Sequence, residues 1–340
     1  MRRLHALVTT LATLCVFAGA LPAAAQTTGP SVSVGSDNGG AIKGAHRVAI
    51  DQFGIEFVTL LKASGNGGGN STSVQAELRG VPDAAMQALT DRIYRESVEA
   101  LTAAGFEVVP METVRANPEY AAVEARMGKP APYVVDDTAA VSKIFAPTGM
   151  PAFFQTAGGR GTLSDRITAL DGANGAKASA VAKAMDLHFV RFHFFASFGT
   201  ASGSKGFLAN IARRSSSSIE AGPVLYPNET QLQIVSQEGQ RIFRTTSRSG
   251  VNGAFYVDRA VQGAADGFAL VDTTTDESRK SDATSNALST GLALLIGGRA
   301  RGTSNTTAAV TLDEATFARA YLPLIGGARD ALVERLKSAR

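Results

Sequence analysis

The densest cluster of chemistry-bearing side chains lies in "LHFVRFHFFASF", Leu187 to Phe198, where His188, Arg191 and His193 stand among five phenylalanines. Histidines can bind a metal or move protons, and an arginine beside aromatics can grip nucleic acid. Spacing decides among these uses. In a strand, alternate residues face opposite sides. His188 and His193 are an odd number of residues apart, so one regular strand cannot aim both at one ion. Zinc also needs three or four converging ligands, and His46 is far away in sequence. As a strand, Val190, Phe192, Phe194, Ala196 and Phe198 form one apolar face. Phe189, Arg191, His193, Phe195 and Ser197 form a mixed one. The stretch reads as a central strand with one fully buried face, because aromatics favour half-buried pleated surfaces.

Other candidates carry less. "GTASGSKG", Gly199 to Gly206, lacks the spacing of a phosphate-binding loop, and "GGRGT" is only a turn signal. Asp136 and Asp137 are adjacent acids, yet acid–base work needs a positioned partner and a tuned pKa. No H-E-x-x-H, G-x-S-x-G or EF-hand pattern occurs. A serine triad is defined by geometry, so a secreted hydrolase of unrecognised type stays an alternative, as does a passive periplasmic binding module. No residue is assigned a catalytic, cofactor-binding or metal-binding role, and no cofactor is expected.

Composition sets the compartment. Arg2 and Arg3 precede a mostly apolar run from Leu4 to Leu21, and Ala23-Ala24-Ala25 offers an A-x-A cleavage site before Gln26. That order marks residues 1–25 as a secretory signal peptide. The single cysteine, Cys15, lies inside it and follows Leu14, where a lipoprotein signal has a small residue just before its cysteine. The exported chain therefore has no disulfide or thiol nucleophile. The whole chain carries 33 Lys+Arg and 30 Asp+Glu, and removing Arg2 and Arg3 leaves 31 against 30. A near-neutral chain bound for export is not expected to bind nucleic acid.

The elements that must position these residues follow from periodicity. Residues 26–43 read as a flexible lead-in, rich in Ser, Gly and Thr. Val48, Ile50, Phe53, Ile55 and Phe57 predict a strand, with Gly54 as a bulge or bend. "VQAELRGV" reads as a short returning strand after a glycine loop. Met86, Leu89, Ile93, Val98 and Leu101 predict a helix that opens at Pro82 and closes at Gly105. "FEVVPMETV" predicts the next strand. Residues 111–175 read as an insertion, with a short helix near Glu119 to Met127 and four prolines from Pro130 to Pro151 that suggest an irregular segment. A second helix covers "GAKASAVAKAMDL" and leads into the aromatic strand. "LQIVSQEGQRIF" predicts a hairpin turning at Glu238-Gly239. Residues 257–340 read as a helical or hairpin extension: a helix near Val257 to Gly267, a hairpin or a helix over Ala287 to Leu312, and a final helix with capping-box spacing at Thr311 and Glu314 that Pro323 and Gly326-Gly327 should kink or divide. The fold class is α/β (α+β), a mixed sheet flanked by helices.

The order of "VAIDQF", "AGFEVV" at Ala104 to Val109, "AVAKAMD" at Ala180 to Asp186 and "VSQEGQRIF" at Val235 to Phe243 resembles the curli-secretion CsgG family and the envelope proteins with a TolB-N-terminal-like α/β domain. The resemblance spans about half the chain and places the α/β domain at 44–256. Members that form the secretion channel carry a lipid-modified N-terminal cysteine, which this chain lacks. The resemblance implies a non-enzymatic bacterial envelope protein, periplasmic or associated with the outer membrane. Its expected partners are envelope or secretion-system proteins, or further copies of itself in a homo-oligomer. Membrane association is a further expectation, through the segment 287–312, where a lipid-entering hairpin would alternate apolar and small residues.

Export should leave Gln26 as the first residue, which mass spectrometry of the exported protein checks. An intact Met1 or a lipid on Cys15 would overturn the reading.

Overall fold

The computed structural model describes residues 31–67, 70–155, 172–202, 218–238, 252–296 and 303–340; the signal segment lies outside them. The chain opens with β1 (Val34–Asp37), a short 3₁₀ turn (Gly39–Ile42) and β2 (Arg47–Gly67), which turns back as β3 (Asn70–Arg79). Helix α1 (Asp83–Ala103) leads to β4 (Glu107–Val108), then to α2 (Met111–Arg115) and α3 (Pro118–Met127). β5 (Tyr133–Asp136) and β6 (Ala140–Phe145) precede α4 (Gly172–Ala184) and β7 (His188–Ser202). β8 (Ser218–Leu225), β9 (Gln231–Val235), β10 (Gly253–Val257), β11 (Val261–Gln262) and β12 (Leu270–Asp272) follow. The chain closes with α5 (Asp276–Ile296), β13 (Thr303–Thr311) and α6 (Glu314–Ala339).

Among the described residues these strands form one mixed sheet, ordered β1-β10-β9-β7-β2-β3-β13-β12, with the other strands attached to β2, β6, β7 and β8. β2 and β7 run parallel at its centre. The fold is therefore α/β with a mixed sheet, as the pattern of elements implies.

Helices cover the sheet in two separate cores. Val190, Phe192 and Phe194 of β7 share one core with Phe53 of β2, with Met86, Leu89 and Ile93 of α1, and with Leu324, Ile325 and Leu332 of α6. The Phe53 ring stands 5.3 Å from Tyr94 of α1 and 5.9 Å from both Phe192 and Phe194. Phe189 joins the other core, with Tyr120 of α3, Val114 of α2 and Ala178, Val181 and Ala182 of α4. The aromatic strand is thus buried on both faces. α4 covers the face opposite Phe192, while α1 and α6 cover the face that carries it.

Local rules hold at several termini. Gly105 adopts φ 90° directly after α1, and its N–H bonds to Thr102 O, as a helix-ending glycine does. Asn117 caps α3, its Oδ1 accepting from the N–H groups of Glu119 and Tyr120.

Tertiary pairing overrides the sequence pattern elsewhere. The lead-in is ordered from Val34, because β1 pairs antiparallel with β10 and Ile42 is buried. β4 is only two residues long, since Pro110 starts α2 and breaks "FEVVPMETV". The proline-flanked segment makes the β5–β6 hairpin; its prolines bracket the strands without entering them. Strands β10 and β11 replace the helix expected near Val257 to Gly267. The segment 287–312, read as a hairpin or a helix, is helix in its first part and strand in its last: α5 runs to Ile296, and β13 pairs in parallel with β3 and not with a neighbouring arm. α6 continues through Pro323 and Gly326-Gly327 as one helix, with Leu324, Ile325 and Ala328 buried. Its cap is Asp313, whose Oδ1 accepts from Thr316 N at 2.6 Å. The return arm expected after Glu238-Gly239 lies outside the described residues.

Phe194→Ala should destabilise the chain by about 3–5 kcal/mol, as large-to-small changes in a packed core do. Urea unfolding measures this; an unchanged midpoint would mean that the ring is not packed.

Candidate functional site: a buried polar seam between β2 and β7

The apolar positions of β2 step by two from Val48 to Ile50, by three to Phe53, then by two again to Ile55 and Phe57. A regular strand cannot keep all five on one face. The structure resolves this with a bulge: Ile50 pairs with Val190 and Gln52 with Arg191, leaving Asp51 as the extra residue. The bulge falls at Asp51, three residues before the expected Gly54.

A bulged residue loses its ladder partner, and a buried carbonyl then needs another donor. Tyr120 supplies it, donating its hydroxyl to Asp51 O at 3.0 Å. The Asp51 carboxylate accepts two bonds from Arg191 Nε at 3.0 Å and one from Nη2 at 2.7 Å. Both side chains are buried. Burial pushes the Asp51 carboxyl up, against the pull of the Arg191 guanidinium. Burial works against the Arg191 charge as well, but the adjoining carboxylate more than offsets this and its pKa rises. Burial pushes the Tyr120 phenol up, reinforced by the Asp51 charge.

One step along the strands is a second buried pair. His193 Nδ1 lies 2.8 Å from Glu229 O, a carbonyl that can only accept, so Nδ1 carries the proton. Nε2 lies 3.2 Å from Glu56 Oε2, close but outside hydrogen-bond alignment. The other oxygen of Glu56 accepts from the Ser142 hydroxyl of β6. Nearby, Gln155 Nε2 donates to Gln52 Oε1 at 3.1 Å. His193, Glu56 and Ser142 are all buried.

The seam collects residues that single-strand reasoning left apart. Arg191 and His193 are on the mixed face as expected, yet that face is covered, and Asp51, Glu56, Ser142 and Tyr120 were not anticipated. The odd step between Ile50 and Phe53 was the available signal. His188 does not join: it is half-buried at the strand's start, where burial lowers its pKa against Glu238 and Asp186. His46 is exposed. Asp136, exposed at the end of β5, accepts from Lys62 Nζ at 2.8 Å, and the partly buried Asp137 accepts from Thr138 N at 2.5 Å in the turn that follows. Among the described residues no group of three or more His, Cys, Asp or Glu is placed to hold a metal. The loops at 158–162 and 203–206 lie outside the described residues.

No family model matches this chain, and neither the curated proteins nor the solved structures contain a match. The seam is therefore interpreted from its own chemistry. Its charges are paired and covered by helices, which suits a role in fixing strand register.

Asp51→Asn should cost about 3–5 kcal/mol, because it strands a buried guanidinium. Replacing both partners, Asp51→Leu with Arg191→Met, should recover a large part of that loss. Urea titrations of the three proteins check this; equal losses in the single and double variants would show that the pair is not coupled.

Proposed function

We propose that this chain is a non-enzymatic component of the bacterial cell envelope, exported to the periplasm or the outer-membrane surface, that works through protein–protein contact in an assembly or secretion system. The observation that carries this is the β2–β3–β13 ribbon. Its inner face is apolar where it meets the body, at Leu61, Ala76, Val310 and Leu312. Further out the same face runs through Thr72 and Ser304, both exposed, and the other face through Ser71 and Asn305, also exposed. Beyond β13 lies the edge strand β12, where Leu270 is 39% and Val271 57% exposed. An arm with polar faces and an apolar edge strand suits contact with protein, since strand edges are ready templates for pairing.

The buried seam supports the non-enzymatic reading, because acid–base chemistry requires reach to a substrate. The partners are envelope or secretion-system proteins or further copies of this chain, consistent with the resemblance to CsgG-like and TolB-N-like domains. Among the described residues no helix is long and apolar enough to cross a membrane, which says nothing of strands. The polar outer ribbon argues for protein over lipid as what it meets, since a lipid-facing strand is apolar on one face.

Size-exclusion chromatography with light scattering, on the chain from Gln26 with and without detergent, tests the assembly. A large species is expected for a homo-oligomer. A monomer under both conditions, with no envelope protein recovered by crosslinking in cells, would overturn the proposal.

A further inference from the structure

The outer edge of β13 is closed partly by side chains, where a strand could pair. The N–H groups of Asn305 and Thr307 point away from β3, toward the side on which β12 pairs with Ala308, Ala309 and Val310. Continuing the β12 register would set Thr275 opposite Asn305. The chain leaves the sheet before that point. Thr273 N still donates to Thr307 O, Thr274 Oγ1 accepts from Thr307 N at 3.0 Å, and the Thr275 hydroxyl accepts from Ser278 N at the start of α5. Asp282 of α5 then takes the strand's place. Its carboxylate accepts from Asn305 N at 2.7 Å and from Asn305 Nδ2 at 2.8 Å.

An open strand edge is a template for pairing, and proteins block one with a charge or with a covering helix. α5 supplies both, but it is lightly held. A surface helix ordinarily docks by burying an apolar stripe. From Asp276 to Ala287 no residue of α5 is buried; the half-buried ones, Ser278, Asp282 and Asn286, recur every four residues and are all polar. The ion pair from Arg279 to Asp272 of β12 is exposed, and such pairs add little. Over these residues polar contacts fix α5 to the sheet, without the apolar packing that gives most helices their stability. The edge beneath is suited to pairing. Residues Thr303 to Thr307 carry no charge, and three of the five are threonine, a residue that favours strands.

We infer that α5 is a displaceable guard, with Asp282 as its catch, and that the β13 edge it covers pairs with the same edge of a second copy of this chain. Two copies meeting about a two-fold axis each fill the other's open edge, so the contact closes on itself. The uncharged segment sets no like charges against each other across the pair. While α5 is docked, Asp282 holds the Asn305 donor and the edge stays closed. The inference rests on the reading that the ribbon works through protein contact, and it names the partner.

The experiment compares the chain from Gln26 with its Asp282→Ala and Asp282→Asn variants. Hydrogen exchange over residues 303–307, read by mass spectrometry in dilute solution, reports the guard; light scattering over a concentration series reports pairing. Asp282→Ala should exchange there about tenfold faster, the size expected for losing a hydrogen bond to a charged group. At high concentration it should reach twice the mass of the parent's species. Asp282→Asn keeps an acceptor for Asn305 N and should match the parent. Adding Asn305→Pro to Asp282→Ala removes the edge donor without breaking a bond to β3, and should return the mass to the parent's. Unchanged exchange in Asp282→Ala would overturn the guard. Faster exchange with no gain in mass, or with an open-ended series of species, would overturn the pairing of two copies. If Asp282→Ala does not fold, Asn305→Ala carries both readouts from an exposed position, since it keeps the backbone donor and loses the Nδ2 bond to Asp282. These measurements need no envelope protein. A monomeric parent that recovers no envelope protein removes the proposed function, whereas variants indistinguishable from the parent remove the guard whatever the parent does.

Discussion

Asp51 sits in β2 with no residue opposite it on β7, so its carbonyl and its charge must be satisfied from outside the ladder. Tyr120 meets the first need and Arg191 the second. Much of the architecture depends on this accommodation. Without the extra residue, the apolar set Phe53, Ile55 and Phe57 would face away from α1 and α6, because a one-residue slip exchanges the two faces of a strand. With it, both halves of β2 feed the same core. Buried ion pairs add little net stability compared with apolar packing, but they penalise any alternative that separates the charges. Here the separated alternative is the slipped register.

The same logic explains the second helical layer. A sheet face carrying Asp51, Arg191, Glu56 and His193 cannot be packed under plain aliphatic cover, because each polar atom needs a directed partner. Residues 111–155 provide it: Tyr120 from α3, Ser142 from β6 and Gln155 from the segment beyond. The apolar members of this layer, among them Val114, Tyr120 and Phe154, seal the perimeter of the seam. β2 bulges again at Thr59 against β6, where the Thr59 hydroxyl bonds to Val141 O, and bulges add twist. β2 passes from the centre of the body into the ribbon with β3 along this course. β8 bulges against β7 at Gly222-Pro223, a position where proline removes no ladder bond.

The ribbon and the seam divide the protein between reach and rigidity. The seam lies where two parallel strands and two helical layers meet, and its polar groups hold one another. The ribbon has β13 as its third strand, joined through a parallel pairing that brings residue 303 beside residue 71. That pairing makes the C-terminal part integral to the sheet, and α6 completes the core over β7. Residues 257–340, which read as an appended extension, are thus needed to close the fold.

The sequence by itself determined the elements whose periodicity is local. α1 and its closing Gly105, the short helix α3 near Glu119, the long apolar strand at Val48 and the two-faced strand at Phe189 to Phe198 were legible, because helix faces and strand faces are written in residues three to four or two apart. It also set the alternation that made a metal shared by His188 and His193 untenable. Tertiary structure decided the rest. Which face α4 covers, whether residues 287–296 extend or coil, and that Pro323 lies inside one helix all depend on partners outside the segment itself. The seam was half visible, as Arg191 and His193 on a mixed face. Its meaning came only when a bulge put Asp51 against Arg191 and a turn put Glu229 against His193, because a charge or proton acquires its chemistry from what encloses it, and enclosure is long-range.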